Sequence, residues 1–251
     1  MGRKKETQIP GQLSFCFNDE MYVVQRNNLI NGHQALSLSA AKIVRSIIMQ
    51  IKPNDIELHT YVLPIGQLAS LLGASRTTLS RDIDKITDEL LDSRVVVREY
   101  DADSKEYKFI KIPWVDLFAY STRGGLAIGL NNRLAPMLLQ LLESKQYTQY
   151  MLQDILTMRS VYSIRLYEMI LSRIVKELIP KEGVDVEISV AEIREATDTA
   201  DKLERYSSFK EKVIEKAESE ILRTTSYKIT HTEVRTGRKV TGFIFHVEMN
   251  Y

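Results

Sequence analysis

The chain lacks most of what catalysis or membrane insertion would require. Of its 251 residues only one, Cys16, is a cysteine. That excludes an intramolecular disulfide framework and fits a reducing cytoplasm. The histidines, His33, His59, His231 and His246, stand far apart with no second cysteine beside them, so no metal site or cofactor is expected. There is no His-x-His to hold a metal beside a nicking tyrosine, and no Gly-x-x-x-x-Gly-Lys-Ser/Thr to cradle a nucleotide. Asp101-Ala-Asp103 has the spacing of acidic metal ligands but lies in the polar turn DADSK, so an enzyme is not expected. No apolar run approaches the ~20 residues of a membrane helix. The opening MGRKKETQIPG has no apolar signal core, so residues 1–21 are expected to be a disordered or flexible start and the protein cytoplasmic. Strong net charge is missing too, with 34 Lys and Arg against 33 Asp and Glu. A sum near zero still permits nucleic-acid binding, because one basic face can be cancelled by acids elsewhere.

What the chain does have is an ordered run of amphipathic segments. SLSAAKIVRSIIMQI (37–51) predicts a helix capped by Ser37 or Ser39, with Ile43, Ile47, Ile48 and Ile51 on one face. An extended piece (58–63) precedes PIGQLASLLGAS, where Pro64 opens a helix, Leu68, Leu71 and Leu72 face inward, and Gly73 closes it. Ser75 caps RTTLSRDIDKITDELLDS, whose Leu79, Ile83, Ile86 and Leu90 keep helical spacing. VVVREY (95–100) and EYKFIKI (106–112) predict a β-hairpin, followed by a strand at 125–131 and a helix near 134–142. Helix, helix, longer helix, hairpin is the order of a winged helix-turn-helix, in which the helix after the turn enters the major groove.

The second half repeats that order. A long helix is predicted over 160–178, a strand over 184–188, and a short helix over 189–197 capped by Ser189. LERYSSFKEKVIEKAESEI (203–221) follows, with Phe209, Val213, Ala217 and Ile221 on one face, and then a hairpin of 226–234 and 240–248 around RTGRK (235–239). The join is expected near ESKQ (143–146), giving an N-terminal domain of 22–143 and a C-terminal domain of 144–251. The expected fold class is α+β, two tandem winged-helix domains related by pseudo-symmetry.

Four stretches, 27–51, 122–141, YTQYMLQDILTMRSVYSIRLYEMI (147–170) and 203–221, resemble the Rep_3 family of theta-type plasmid replication initiators, of the F-plasmid, iteron-binding type. The resemblance covers about residues 22–248, and its most specific blocks are SIRLYE (163–168) and YSSFKEKVI (206–214). It implies that the two domains grip successive major grooves of double-stranded DNA at directly repeated origin sites. It also implies a monomer that initiates and a homodimer, formed through the N-terminal domain, that represses its own operator. The expected partners beyond DNA are the host replication initiator and the replicative helicase.

By position, the first recognition helix offers Arg76, Thr77, Ser80, Arg81 and Lys85. The second offers Ser207, Ser208, Lys210, Lys212 and Lys216, and its wing Arg235, Arg238 and Lys239. Glu211 on the same helix either accepts from a cytosine or is solvated or paired with Lys212 or Lys216. Arg165 and Glu220 are expected at core edges, paired with each other. The alternatives are a winged-helix transcription regulator reading an inverted repeat as a symmetric dimer, and a winged-helix protein used only for protein contacts.

Overall fold

The computed structural model describes residues 13–14, 21–121, 125–141, 146–175 and 179–250, without the side chains of residues 13, 14, 80 and 121. Most of the expected flexible start, Cys16, most of the 143–146 join and the end of the 160–178 helix lie outside the described residues.

In the first half, β2 (Tyr22–Arg26), α1 (Asn27–Ile30) and β3 (His33–Gln34) lead to α2 (Leu38–Ile48). Ser37 caps α2 by accepting from the Ala40 amide at 3.2 Å, a contact worth about 1 kcal/mol. β4 (Thr60–Leu63) precedes α3 (Ile65–Leu72) and α4 (Arg76–Asp92). Gly73 sits between those helices at φ +61, a left-handed position that a side chain disfavours. Leu79, Ile83, Ile86 and Leu90 of α4 are all buried, as their spacing requires. The hairpin β5 (Arg94–Asp101) and β6 (Glu106–Pro113) is the first wing, with β3 on the free side of β5.

After the wing the chain departs from expectation. β7 (Val115–Ser121) was not foreseen; it pairs with β8 (Gly125–Leu130), which pairs with β4, and β1 (Leu13–Ser14) closes that sheet. Every residue of β8 is buried, so this sheet forms a covered layer rather than a half-solvated one. The helix expected over 134–142 is short: a 3₁₀ turn (Asn132–Leu134) runs into α5 (Ala135–Leu138), and Gln140 at φ +53 ends it.

β9 (Tyr147–Met151) pairs antiparallel with β2, α6 (Leu152–Leu156) follows, and α7 (Val161–Leu171) carries the SIRLYE block. α7 stops at Leu171, short of the expected 178; just past its end the Ser172 hydroxyl donates to the Met169 carbonyl at 2.8 Å, as does the Arg173 guanidinium. Ser163 through Leu171 are all buried, so α7 is covered on every side and packs on both halves.

β10 (Val184–Ser189) and α8 (Val190–Ala196) meet at Ser189, which forms a capping box with Glu192. The recognition segment is α9 (Tyr206–Phe209), a π-helical stretch (Lys210–Glu215) and α10 (Lys216–Thr224). β11 (Tyr227–Thr236) and β12 (Lys239–Met249) make the second wing, with β10 on the far side of β12. Its turn is tighter than the expected 235–239, using only Gly237, at φ +62, and Arg238. The two halves are therefore alike in element order but not in pairing: β10 joins the wing at β12, whereas β4, its counterpart, is drawn away by β8.

Candidate nucleic-acid interface

Two surfaces present the expected residues. On α4, Ser75 accepts from the Thr78 amide at 3.1 Å and starts the helix. Thr77, Arg81 and Lys85 stand exposed on the side opposite the apolar stripe, while the Arg76 guanidinium lies against Gly66 of α3. The Ser80 side chain lies outside the described residues. Arg81 donates to Asp82 at 3.0 Å and holds its carboxyl below the usual carboxylate range. With Asp84 and Asp88 exposed on the same helix, this surface is close to neutral. The tip of the first wing is mixed, with Asp101, Asp103 and Glu106 beside Lys105 and with Asp101 paired to Lys108.

The second surface owes its basic character to its wing, since Glu211 and Glu215 are exposed on the helix beside Lys212 and Lys216. Ser207, Lys212 and Lys216 are exposed, Ser208 and Lys210 are half-buried, and Arg235, Arg238 and Lys239 crown the wing in the open. Lys216 also lies 3.9 Å from Glu220. Glu211 is exposed beside Lys212. This surface is held in place by Phe209, Val213, Ala217 and Ile221, all fully buried, and by the Arg194 guanidinium stacked 4.2 Å from the Phe209 ring centre.

One carboxylate joins helix and wing. Glu233 on β11 accepts from the Tyr206 hydroxyl at 2.8 Å and from Lys210 Nζ at 2.9 Å through one oxygen, and from the Arg235 guanidinium through the other. Hydrogen bonds from Lys210, Tyr206 and Arg235 hold its carboxyl down at about 2. Sequence reading missed Glu233, since its partners Tyr206 and Lys210 lie 27 and 23 residues away. It also missed a ring face on the first wing, where Arg98 and Phe109 stand opposite each other beside the Tyr100 and Tyr107 pair, all four exposed. The Arg98 guanidinium sits 4.8 Å from the Tyr107 ring centre. Strand alternation was the available signal, because Arg98 and Tyr100 share one side of β5, as Tyr107 and Phe109 share one side of β6.

The expected pair of Arg165 with Glu220 is not formed. Arg165 donates to Glu168 at 2.9 Å and to the carbonyls of Ile30, Gly32 and Ala196, tying α7 to both halves. Glu220 instead accepts from the amides of Arg159 and Ser160 at 3.0 and 3.2 Å. It thereby caps α7 from outside, where the helix dipole favours an anion. Glu168 is the centre of a buried cluster, accepting also from Arg45 at 2.9 and 3.0 Å, Tyr150 at 2.5 Å and Gln25 at 3.2 Å. Burial alone would raise its pKa, but Arg45 and Arg165 hold it at about 2. Burial pulls Arg165 down to about 10 against the attraction of Glu168, which leaves it charged at neutral pH. SIRLYE is thus a structural block, and the recognition surfaces lie elsewhere.

Among the described residues no group of three His, Cys, Asp or Glu side chains could hold a metal ion, and no helix is long and apolar enough to cross a membrane. Two family models match the chain: "Initiator Replication protein, WH1" over residues 22–171 and "Initiator Rep protein, WH2" over 189–247. Among solved structures, the Pi initiator protein in complex with iteron DNA is similar at 22% identity and a TM-score of 0.73, over 93% of this chain and 99% of that one. Domains 2 and 3 of RctB align at 13% identity with a TM-score of 0.44, over 90% of this chain and 82% of that one. No curated protein matches the sequence significantly.

Proposed function

Because the chain belongs to the initiator replication protein family, we propose that it is a plasmid replication initiator that binds double-stranded DNA at short direct repeats. The observation that carries this reading is the duplicated winged helix, with one exposed polar helix face and one wing in each half. The Pi initiator, which shares the fold, was crystallised with iteron DNA.

In this reading the domains divide at 143/144, and the C-terminal one makes the main DNA contact. The charge distribution supports that assignment: the tip of the second wing carries Arg235, Arg238 and Lys239, whereas the first mixes Asp101, Asp103 and Glu106 with Lys105 and Lys108, a poorer match for phosphates. Ser207, Ser208 and Lys212 read base edges, with Lys210 and Lys216 beside them, and the basic wing residues position the protein on phosphates. Arg76, Thr77, Ser80, Arg81 and Lys85 make the equivalent, weaker contact of the N-terminal domain. Arg165 donates to the carbonyls of Ile30 and Gly32 in the first half and of Ala196 in the second, which ties the two halves together before DNA is met. The protein acts by binding and by straining DNA, not by catalysis. A monomer occupies each repeat, a dimer represses the protein's own operator, and host initiator and helicase are recruited to the theta-type origin in the cytoplasm.

The test is fluorescence anisotropy on DNA flanking the protein's own gene, comparing direct repeats, an inverted repeat and a shuffled sequence across salt concentrations. One monomer per direct repeat, preferred over shuffled DNA, is the expected result. Preference for the inverted repeat alone, bound as a dimer, refutes the initiator reading in favour of a regulator, and binding insensitive to salt refutes DNA recognition.

A further inference from the structure

The surface that carries the basic wing contains one carboxylate placed against its purpose. Glu233 sits at 16% side-chain exposure between the recognition helix and the wing, 2.9 Å from Lys210 Nζ and in contact with the Arg235 guanidinium. A residue there that served only to hold the fold could be neutral, since the Tyr206 hydroxyl at 2.8 Å needs only an acceptor. A carboxylate does more, because it pairs with two cations that face the DNA side: Arg235, and Lys210, whose other carboxylate partner, Glu215, lies farther off at 3.9 Å. It also pins Lys210, the first residue of the π-helical stretch, to β11, so the start of the recognition helix is fixed to the wing root.

We infer that Glu233 is a specificity-determining residue of this interface: it competes with DNA phosphates for Lys210 and Arg235, so that non-specific DNA is bound weakly. The inference rests on the DNA-binding reading above. A phosphate on non-specific DNA must displace the carboxylate before it can pair with either cation. Specific DNA, whose base edges are read by Ser207, Ser208 and Lys212, supplies other contacts and depends less on that exchange. Discrimination thus arises by penalising the wrong sequence, which is an ordinary route to specificity.

The magnitude follows from counterion release. Each phosphate neutralised adds about 0.9 to the slope of log affinity against log salt. Freeing Lys210 and Arg235 adds up to two such contacts, or about a tenfold steeper loss of affinity between ~50 and ~200 mM salt.

The experiment compares wild type with Glu233→Gln, in which the amide oxygen still accepts from Tyr206, by anisotropy on the preferred and shuffled duplexes over a salt series. Tighter binding of shuffled DNA by roughly tenfold at low salt, a steeper salt slope and a smaller preference for the specific site are expected. Arg235→Ala is then made in both backgrounds. It should flatten the slope more in Glu233→Gln, where the guanidinium is free, than in wild type, where the carboxylate holds it. Unchanged slopes, or an equal loss on both duplexes, would overturn the inference while leaving wild-type recognition of direct repeats intact. Failure of wild type to prefer any duplex would sink the DNA-binding reading itself. A thermal melt of each variant separates loss of fold from loss of binding, and Glu233→Asp, a charged but shorter side chain, should fall between wild type and Glu233→Gln in slope.

Discussion

Replacing Glu168 by glutamine should cost this protein a large part of its stability. The side chain is fully buried and accepts five hydrogen bonds, two from Arg45 and one each from Arg165, Tyr150 and Gln25. Glutamine keeps the volume but removes the charge, and turns one accepting oxygen into an NH₂ group that faces a guanidinium. Two buried cations are then left without a counter-charge. Removing one partner of a buried pair costs about 3–5 kcal/mol, against a total stability of about 5–15 kcal/mol for a typical domain. Urea unfolding followed by the fluorescence of Trp114 is a direct assay, because this single tryptophan is buried 5.8 Å from the Arg45 guanidinium. The pH dependence gives a second reading. The folded-state pKa of Glu168, about 2, lies below its ordinary value of 4.5. The stability this supplies is therefore complete above about pH 4.5 and is lost as pH falls toward 2. Glu168→Gln should lack that acid-sensitive component. A variant within about 0.5 kcal/mol of wild type, or one with the same acid dependence, would refute the claim that this buried cluster stabilises the fold.

The other expectations concern the recognition surface and the backbone around it. Lys212→Ala should relax preference at part of the DNA site, whereas Arg238→Ala should weaken specific and shuffled DNA about equally; anisotropy on single-base variants of the site separates the two. Identical losses with unchanged preference would contradict both roles. Phe209→Ala should lower stability by about 3–5 kcal/mol in urea unfolding, because it empties a fully buried site under the recognition helix. Gly73→Ala should cost about 1–2 kcal/mol by thermal melt through its left-handed backbone alone, since nothing lies within 4 Å of the added methyl.

Much of the architecture could be read from local chemistry. Ser37, Ser75, Ser189 and Gly73 mark helix ends where the structure has them, because caps act on the nearest amides and carbonyls. The wings were visible from alternation and turn residues. β7 was not, because its pairing with β8 is decided by a sheet that β4 also joins, and no property of 115–121 alone announces that partnership. Arg165 does form the expected ion pair, but with Glu168 three residues along the same helix, a spacing that already permits contact, and not with Glu220. In the candidate site, the exposed cations were legible as residues. The hold of Glu233 on Arg235, two residues along β11, lies within one strand, but its hold on Lys210 was not legible, because only folding brings β11 beside the recognition helix.

The π-helical stretch has a cause that the sequence contains. Phe209, Val213, Ala217 and Ile221 recur at a strict interval of four residues. In an ideal α-helix each such step overshoots a full turn by about 40°, so three steps rotate the stripe by about 120°, more than the ~100° width of an ordinary apolar face. A uniform α-helix would therefore set Phe209 and Ile221 at opposite margins of the apolar face, yet all four are fully buried. Over Lys210–Glu215 the chain adopts the wider i→i+5 turn, which takes up the excess rotation and keeps the stripe on the core. The same adjustment fixes the outward direction of Lys212 and Lys216, since whatever turns the buried side of the helix turns the exposed side with it. The core thus sets the angle at which the recognition helix presents its charges.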